Sequence, residues 1–279
     1  MTPTQTRYVR TYLVVEIIII LVGLLFLAPF YFVLANAVKP FGAIIENAAS
    51  FPETFYWQNF AEAWRVVQFP RVLMNSLIVT SFSIGGMVIM GAMAAWRMVR
   101  RPHWVSRSMF VLYVAAMVIP FQSVMIPMVK VASVLNMINT RYGVIMIYFG
   151  FGMPLTVFLL HGFVKSVPRE LEESAYIDGC TTWQSFFRIV LPLLQTMVVT
   201  VIILQTLWIW NDFLLPLLVL FRRGLHTIPL GIFRFFGQYM DQWGGALATL
   251  TMGMVPIVAF FLSLQKYIIS GVTSGSVKG

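Results

Sequence analysis

Residues 12–36 read YLVVEIIIILVGLLFLAPFYFVLAN, an apolar run interrupted by a single charge, Glu16. A helix rising 1.5 Å per residue needs about 20 mostly apolar residues to cross a hydrocarbon core of about 30 Å. This run is long enough. It also exceeds the roughly 7–15 apolar residues of a secretory signal. Arg7 and Arg10 before it and Ala35-Asn36-Ala37 after it have the flanks of a cleaved signal, but the length favours a retained spanning helix. Five further windows qualify, at residues 72–96, 108–129, 142–164, 193–221 and 246–270. None alternates polar and apolar residues in ten-residue strands, which a membrane barrel requires. The expected fold class is an all-α membrane protein with six transmembrane helices.

Composition agrees. Of 279 residues, 59% are hydrophobic and 10% charged, against about 25% charged in a soluble domain. So few charges cannot cover a water-exposed surface, and lipid must be part of the solvent. The net charge of +9 does not indicate nucleic acid. The basic residues sit in short connections between apolar runs rather than in a patch interleaved with aromatics. Cys180 is the sole cysteine, so no intrachain disulfide forms. His103, His161 and His226 lie far apart without metal-ligand spacing, and no metal site is expected. No GxxxxGK[ST] run occurs, so the chain carries no phosphate-binding loop of its own.

With both ends on one side, eleven of the 19 basic residues fall on the side of the termini. Four arginines, Arg97, Arg100, Arg101 and Arg107, mark the second connection as cytoplasmic. The expected divisions are a cytoplasmic N-terminus (1–11), a six-helix domain (12–270) with a large cytoplasmic connection at 165–192, and a cytoplasmic tail (271–279). Two outer segments are long. In residues 39–71, Trp57, Phe60, Trp64 and Val67 at helical spacing suggest an amphipathic helix on the membrane surface. Residues 222–245, with aromatics and glycines, are placed to cover an outer mouth.

Inside the windows, small residues recur four apart, Ser81 with Gly85 and Gly91 with Ala95, and these allow close helix approach. Prolines 120, 127, 154, 216 and 256 suit bent, cavity-lining helices. Glu16 lies near a helix end. Asp212 lies roughly 29 Å along a helix begun at Leu193, at the far interface. Neither reads as a proton relay in mid-membrane.

The connection KSVPRELEESAYIDGCTTWQSFFRIVLP, residues 165–192, is different in kind: four of the chain's ten acidic residues fall between Glu170 and Asp178. Ser166 is placed as an N-cap and Pro168 in the first turn. Glu170, Glu172 and Glu173 put negative charge at the helix N-terminus, where the dipole favours it. Gly179 is placed for a left-handed stop, and Thr181 or Thr182 to cap a second helix. A rigid helix-turn-helix standing off the membrane is expected.

Glu173-Ser174-Ala175, then Asp178-Gly179, then Phe186, Ile189 and Leu191-Pro192, resemble the EAA loop of binding-protein-dependent ABC importer permeases. Ser174 and Cys180 stand where alanine is usual, and both are small. Asn75-Ser76, Trp210-Asn211-Asp212, Gly237-Gln238-Tyr239 and the tail from Gln265 to Gly279 extend the resemblance to carbohydrate-type permeases, in particular the smaller permease of maltose-type transporters. The resemblance implies a type I ABC importer bundle in a bacterial or archaeal plasma membrane. It implies that Glu173, Ser174, Ala175, Asp178 and Gly179 couple to an ATPase subunit, and that Gly275, Val277, Lys278 and Gly279 lie at the ATPase interface. It also implies a second permease subunit, two ATPase subunits carrying ATP and magnesium, and an extracytoplasmic sugar-binding protein. No cofactor is expected on this chain, which is not expected to be an enzyme. Trp208, Asn211, Tyr148, Gln205 and Gln122 offer aromatic faces and amides suited to sugar, yet such residues fill any membrane bundle and none is singled out for substrate. The competing readings are an ABC permease for another solute and a secondary transporter, which would act without an ATPase.

Overall fold

The computed structural model describes the backbone of residues 3–237 and 242–276, and side chains within residues 12–265. Among the described residues there are helices and no strands. They are α1 (Pro3–Ala37), α2 (Phe41–Glu46), α3 (Gln58–Val66), α4 (Phe69–Arg100), α5 (Trp104–Val118), α6 (Phe121–Val134), α7 (Arg141–Val164), α8 (Glu170–Ile177), α9 (Thr182–Ser185), α10 (Leu191–Leu193), α11 (Gln195–Asn211), α12 (Leu214–Val219), α13 (Ile228–Ile232), α14 (Arg234–Gly237) and α15 (Trp243–Ser276). Four helices are long and apolar enough to cross a membrane, and two bent pairs bring the total to six. The six apolar windows fall on these four helices and two bent pairs, six spans if each pair crosses once.

Two of those windows are not single helices. Residues 104–134 form α5 and α6, which meet at 109°. Pro120 causes the break: it cannot donate into the preceding turn, and it holds Ile119 in extended backbone (φ −77°, ψ 116°). The fifth span bends by 74° between residues 182–193 and α11. There the turn widens to a π-helix at Phe186–Val190, just before Pro192, which has no N–H to return to Arg188. This span ends at Asn211, not at Phe221, and Leu214–Val219 forms a separate short helix.

The chain divides into two compact units. The larger, residues 70–231 with 253–279, holds the main core, in which α7 is central. α7 is apolar on all sides, and Tyr148, Val144, Val157, Leu160 and Val164 are completely buried. Small residues set how closely its neighbours approach. A Cβ on Gly91 of α4 would lie 2.6 Å from Thr156 Cγ2, and one on Gly152 of α7 would lie 2.2 Å from Met87 Sδ. From α11, buried Gln205 donates Nε2 to the Gly152 carbonyl (3.0 Å) and to Thr156 Oγ1 (3.2 Å). The two small-residue pairs thus differ. Gly91 meets α7 and Ala95 is fully buried, whereas Ser81 and Gly85 line an open groove of about 320 Å³ with Thr206, Trp210 and Pro256.

At the end of this unit where α4 and α7 begin, Asn75 is fully buried and works as a clamp. Its Nδ2 donates to the carbonyls of Gly224 (3.0 Å) and His226 (2.9 Å), and its Oδ1 accepts from Arg141 Nε (2.9 Å). Ser76 Oγ accepts from the Ile228 amide, and Asn139 Oδ1 accepts from the amides of Phe221 and Arg222. The connection after α12 is held by its backbone, whatever its side chains.

The smaller unit comprises residues 1–69 and 232–252. Lys39, 1% exposed, donates Nζ to the carbonyl of Asn47 (3.1 Å) and to Ser50 Oγ (3.2 Å). Asn59 Nδ2 donates to the carbonyls of Ala37 and Lys39. In α3 the buried face is Asn59 and Ala63, continued by Val67, while Trp57 and Trp64 are more than half exposed. The expected stripe of Trp57, Phe60, Trp64 and Val67 is therefore split: the tryptophans face outward and Val67 is core.

In detergent, Gly91→Ala should destabilise the isolated chain by about 1–3 kcal/mol, because the stiff Thr156 side chain cannot withdraw. Gly85→Ala, with no atom within 4 Å of the added carbon, should be neutral or slightly stabilising. Paired thermal-unfolding curves check both.

Candidate functional site

The chain leaves α7 through a tight turn, with the Ser166 amide bonded to the Phe163 carbonyl and the Val167 amide to the Val164 carbonyl. Ser166 does not cap α8. Its hydroxyl donates back to the Phe163 carbonyl (2.8 Å), finishing α7, and α8 starts after Arg169 with no side-chain cap. Glu170, Glu172 and Glu173 occupy the first turn, so the helix dipole rather than a cap favours this end. The other end is fully specified. Gly179 has φ +83°. Its amide bonds to the Tyr176 carbonyl (3.1 Å) and that of Cys180 to the Ala175 carbonyl (2.9 Å), the paired bonds of a Schellman stop. Thr181, not Thr182, caps α9. Its Oγ1 accepts from the Gln184 amide, and Gln184 Oε1 accepts from the Thr181 amide (2.8 Å), a reciprocal capping box.

α8 is two-faced. Glu172 and Ala175, three residues apart, are 5% exposed each. Glu172 Oε1 accepts from Arg100 Nε at 2.6 Å and Oε2 from Trp96 Nε1 at 2.8 Å, while Arg100 Nη2 donates to the Val167 carbonyl at 2.8 Å. The Trp96 ring also packs on buried Phe186, with centroids 5.2 Å apart. Beside this network lies a cleft of about 500 Å³, lined on one side by Arg97 and Arg101 and on the other by Arg169 and Tyr176. On the outward side, Glu173, Ser174, Asp178 and Gly179 are exposed. Leu171 and Tyr176 are each 44% exposed and Ile177 87%. Of the five residues that the EAA resemblance marks, four are exposed, Glu173 among them at the edge of the cleft, and Ala175 is buried. The buried acid is Glu172, which the motif spacing did not mark.

Within the spans, the aromatics and amides separate by role. Tyr148 is buried and donates to Asp212 Oδ2 (2.9 Å), and Asp212 Oδ1 accepts from the Leu214 amide (3.0 Å). Asp212 therefore holds the end of α11 against α7, not free at an interface. Gln205 is committed to α7, as above. Trp208, packed edge-on against Tyr148 at 5.5 Å, is exposed, as are Asn211 and Gln122. Of the tail residues, Gly275 is described in backbone only, within α15, and Val277, Lys278 and Gly279 lie outside the described residues.

The chain is thus a bundle of apolar helices that carries a capped helix pair between its fourth and fifth apolar segments. Residues 87–274 match the family described as binding-protein-dependent transport system inner membrane component, and the chain belongs to that family. A probable starch degradation products transport system permease protein, AmyC, from Thermoanaerobacterium thermosulfurigenes is 38% identical over 97% of this chain and 98% of its own. The melibiose/raffinose/stachyose import permease protein MelC of Bacillus subtilis is 36% identical over 90% and 91%. Among solved structures, the fold is similar to that of a chain from a bacterial ABC transporter involved in the import of the acidic polysaccharide alginate. The TM-score is 0.81 at 15% identity, covering 96% of this chain and 98% of that one.

Since nothing lies within 4 Å of a Cβ built on Gly179, size should not matter there inside this chain. Gly179→Ala and Gly179→Leu should each cost about 1–2 kcal/mol for the left-handed backbone alone. Equal losses in thermal unfolding are expected; a much larger loss for leucine would mean the site is crowded from within.

Proposed function

We propose that this chain is the membrane-spanning permease of an ATP-driven importer, moving a carbohydrate delivered by an extracytoplasmic binding protein. The observation that carries the reading is near-full-length similarity to permeases named for starch degradation products and for melibiose, raffinose and stachyose. A solved alginate transporter of the same fold, in complex with a periplasmic protein holding an alginate pentasaccharide, supports the binding-protein element. As a transport subunit the chain is not an enzyme.

A second permease would pair with it, and two ATPase subunits would supply ATP and magnesium. Glu173, Ser174, Asp178 and Gly179, exposed on α8 and its stop, would meet a cleft of one ATPase subunit. Gly275, Val277, Lys278 and Gly279 would lie at the ATPase junction. Both termini would be cytoplasmic, which the arginines between Arg97 and Arg107 support. The exposed aromatics Phe51, Phe55 and Trp57 in the 39–71 segment, with residues 222–245, would face the binding protein. ATP would have to bind the two states of the assembly with different affinity to shift it between them.

Purification of the tagged chain from its native membrane in mild detergent should recover a second permease and a P-loop ATPase, identified by mass spectrometry. Gly179→Leu should release the ATPase and keep the permease, with Gly179→Ala intermediate. Recovery of the chain alone, moving solute in vesicles without ATP, would overturn the importer reading in favour of a secondary transporter.

A further inference from the structure

α8 is attached to the rest of its unit by the uncapped turn from α7, by the continuation into α9, by its contact with the Phe186–Val190 turn and the burial of Ala175, and by the side-chain network to α4. The first is a weak constraint. Residues 165–169 carry no side-chain cap for α8, and a load on its exposed face could pivot it about this turn. The network removes that freedom. Trp96 and Arg100, one helical turn apart on α4, take one oxygen each of a single carboxylate. Two directional bonds to one planar group fix both the distance of α8 from α4 and its rotation about its own axis. Arg100 adds a bond to the Val167 carbonyl within the turn itself, and Arg169 Nη2 reaches the Val99 carbonyl (3.4 Å).

Stability alone does not explain an ion pair here. Side-chain exposures of 13% and 7% make this a largely desolvated pair, and such a pair adds little net stability over a well-packed apolar contact. What it adds is orientation, because an apolar contact can slide and a bidentate carboxylate cannot. From this clamp α4 continues to the Gly91–Thr156 contact with α7.

We propose that Glu172 is a positioning residue whose bonds to Trp96 and Arg100 lock α8 to α4, so that a displacement applied to the docking face of α8 is delivered to the second span. The inference rests on the importer reading and adds the linkage that reading does not specify. Glu172, Arg100 and Trp96 act as one unit, and the loss of any one should introduce slack of the same kind.

The test measures movement within the assembled complex, with ATP as the only ligand added. Cys180, the single native cysteine, immediately follows the Schellman turn; Met90→Cys places a second spin label on an exposed position of α4, 55% exposed. In the otherwise native complex the Met90–Cys180 distance should change by less than about 2 Å between nucleotide-free and ATP-trapped states. In Glu172→Gln, Arg100→Gln and the double variant, the nucleotide-free distance should stay as in the parent. On ATP trapping it should shift by about 5 Å or at least double in width, equally in all three. Trp96→Phe, which keeps the ring on Phe186 and loses only the N–H, is the milder variant should a glutamine prevent assembly. A distribution already broadened without nucleotide would make the network a fold element only and overturn the proposal. So would variants indistinguishable from the parent, or a parent in which α8 itself moves against α4. If no ATPase accompanies the parent chain, the importer reading fails and the proposal with it; a parent that binds ATPase but shows no variant effect fails the proposal alone.

Discussion

Hydrocarbon offers no hydrogen-bond partner, so wherever a span stops being a regular helix the chain must supply its own. This constraint accounts for the placement of several polar side chains in the larger unit. Where α11 ends, Asp212 accepts the Leu214 amide and, on its other oxygen, the Tyr148 hydroxyl. Where the chain turns after α12, Asn75, Ser76 and Asn139 take up the amides and carbonyls of residues 221–228. Asp212, Asn75, Ser76 and Asn139 are committed to backbone at helix ends or between helices, Gln205 to the carbonyl of Gly152 and the hydroxyl of Thr156 on α7, and Tyr148 to Asp212. Tyr148 and Gln205 have the chemistry to hold a sugar, yet both are buried and already bonded, which leaves Trp208, Asn211 and Gln122 as the exposed groups of that set.

What could be read from the sequence divides along the same line. The six spans were legible because crossing a hydrocarbon core sets a minimum apolar length, and length is a property of one segment. The bends were only half legible. Pro120 and Pro192 mark where a helix cannot continue unchanged, but the 109° and 74° angles depend on packing that no single segment encodes. The end of the fifth span at Asn211 was missed because residues 213–221 are as apolar as the helix before them, and only the Asp212–Tyr148 bond shows why the helix stops. Local motifs fared best where both halves of a bond are neighbours. Gly179 and the Thr181–Gln184 box involve partners within five residues, whereas Ser166 looked like a cap and instead completes the preceding helix.

The acidic cluster shows the limit most clearly. Three glutamates in one turn look equivalent in sequence, and the motif directs attention to Glu173. Which of them faces inward is decided by Trp96 and Arg100, 76 and 72 positions earlier. The same holds for the small-residue pairs. Gly91 and Gly85 lie on one helix with the same spacing to a small neighbour, and only the position of Thr156 separates a packed contact from an open groove.

The length of α4 explains how a directional charge pair can serve a membrane protein at all. A carboxylate and a guanidinium within the hydrocarbon would each be costly to desolvate, and a wet pair at a surface would be too weak and mobile to fix an orientation. At 32 residues, α4 extends about 48 Å, well beyond a core of about 30 Å. Its last turn can therefore stand clear of lipid while still being shielded by protein. There Arg100 and Glu172 are largely covered by α8, the Val167 turn and the Trp96 ring, with 13% and 7% of their side chains still exposed at the cleft beside them. A shorter α4 would bring the pair into the lipid region, and a longer one would leave it solvated. The length of the second span is thus what allows the α8–α9 helix pair to be held by geometry instead of by apolar contact alone.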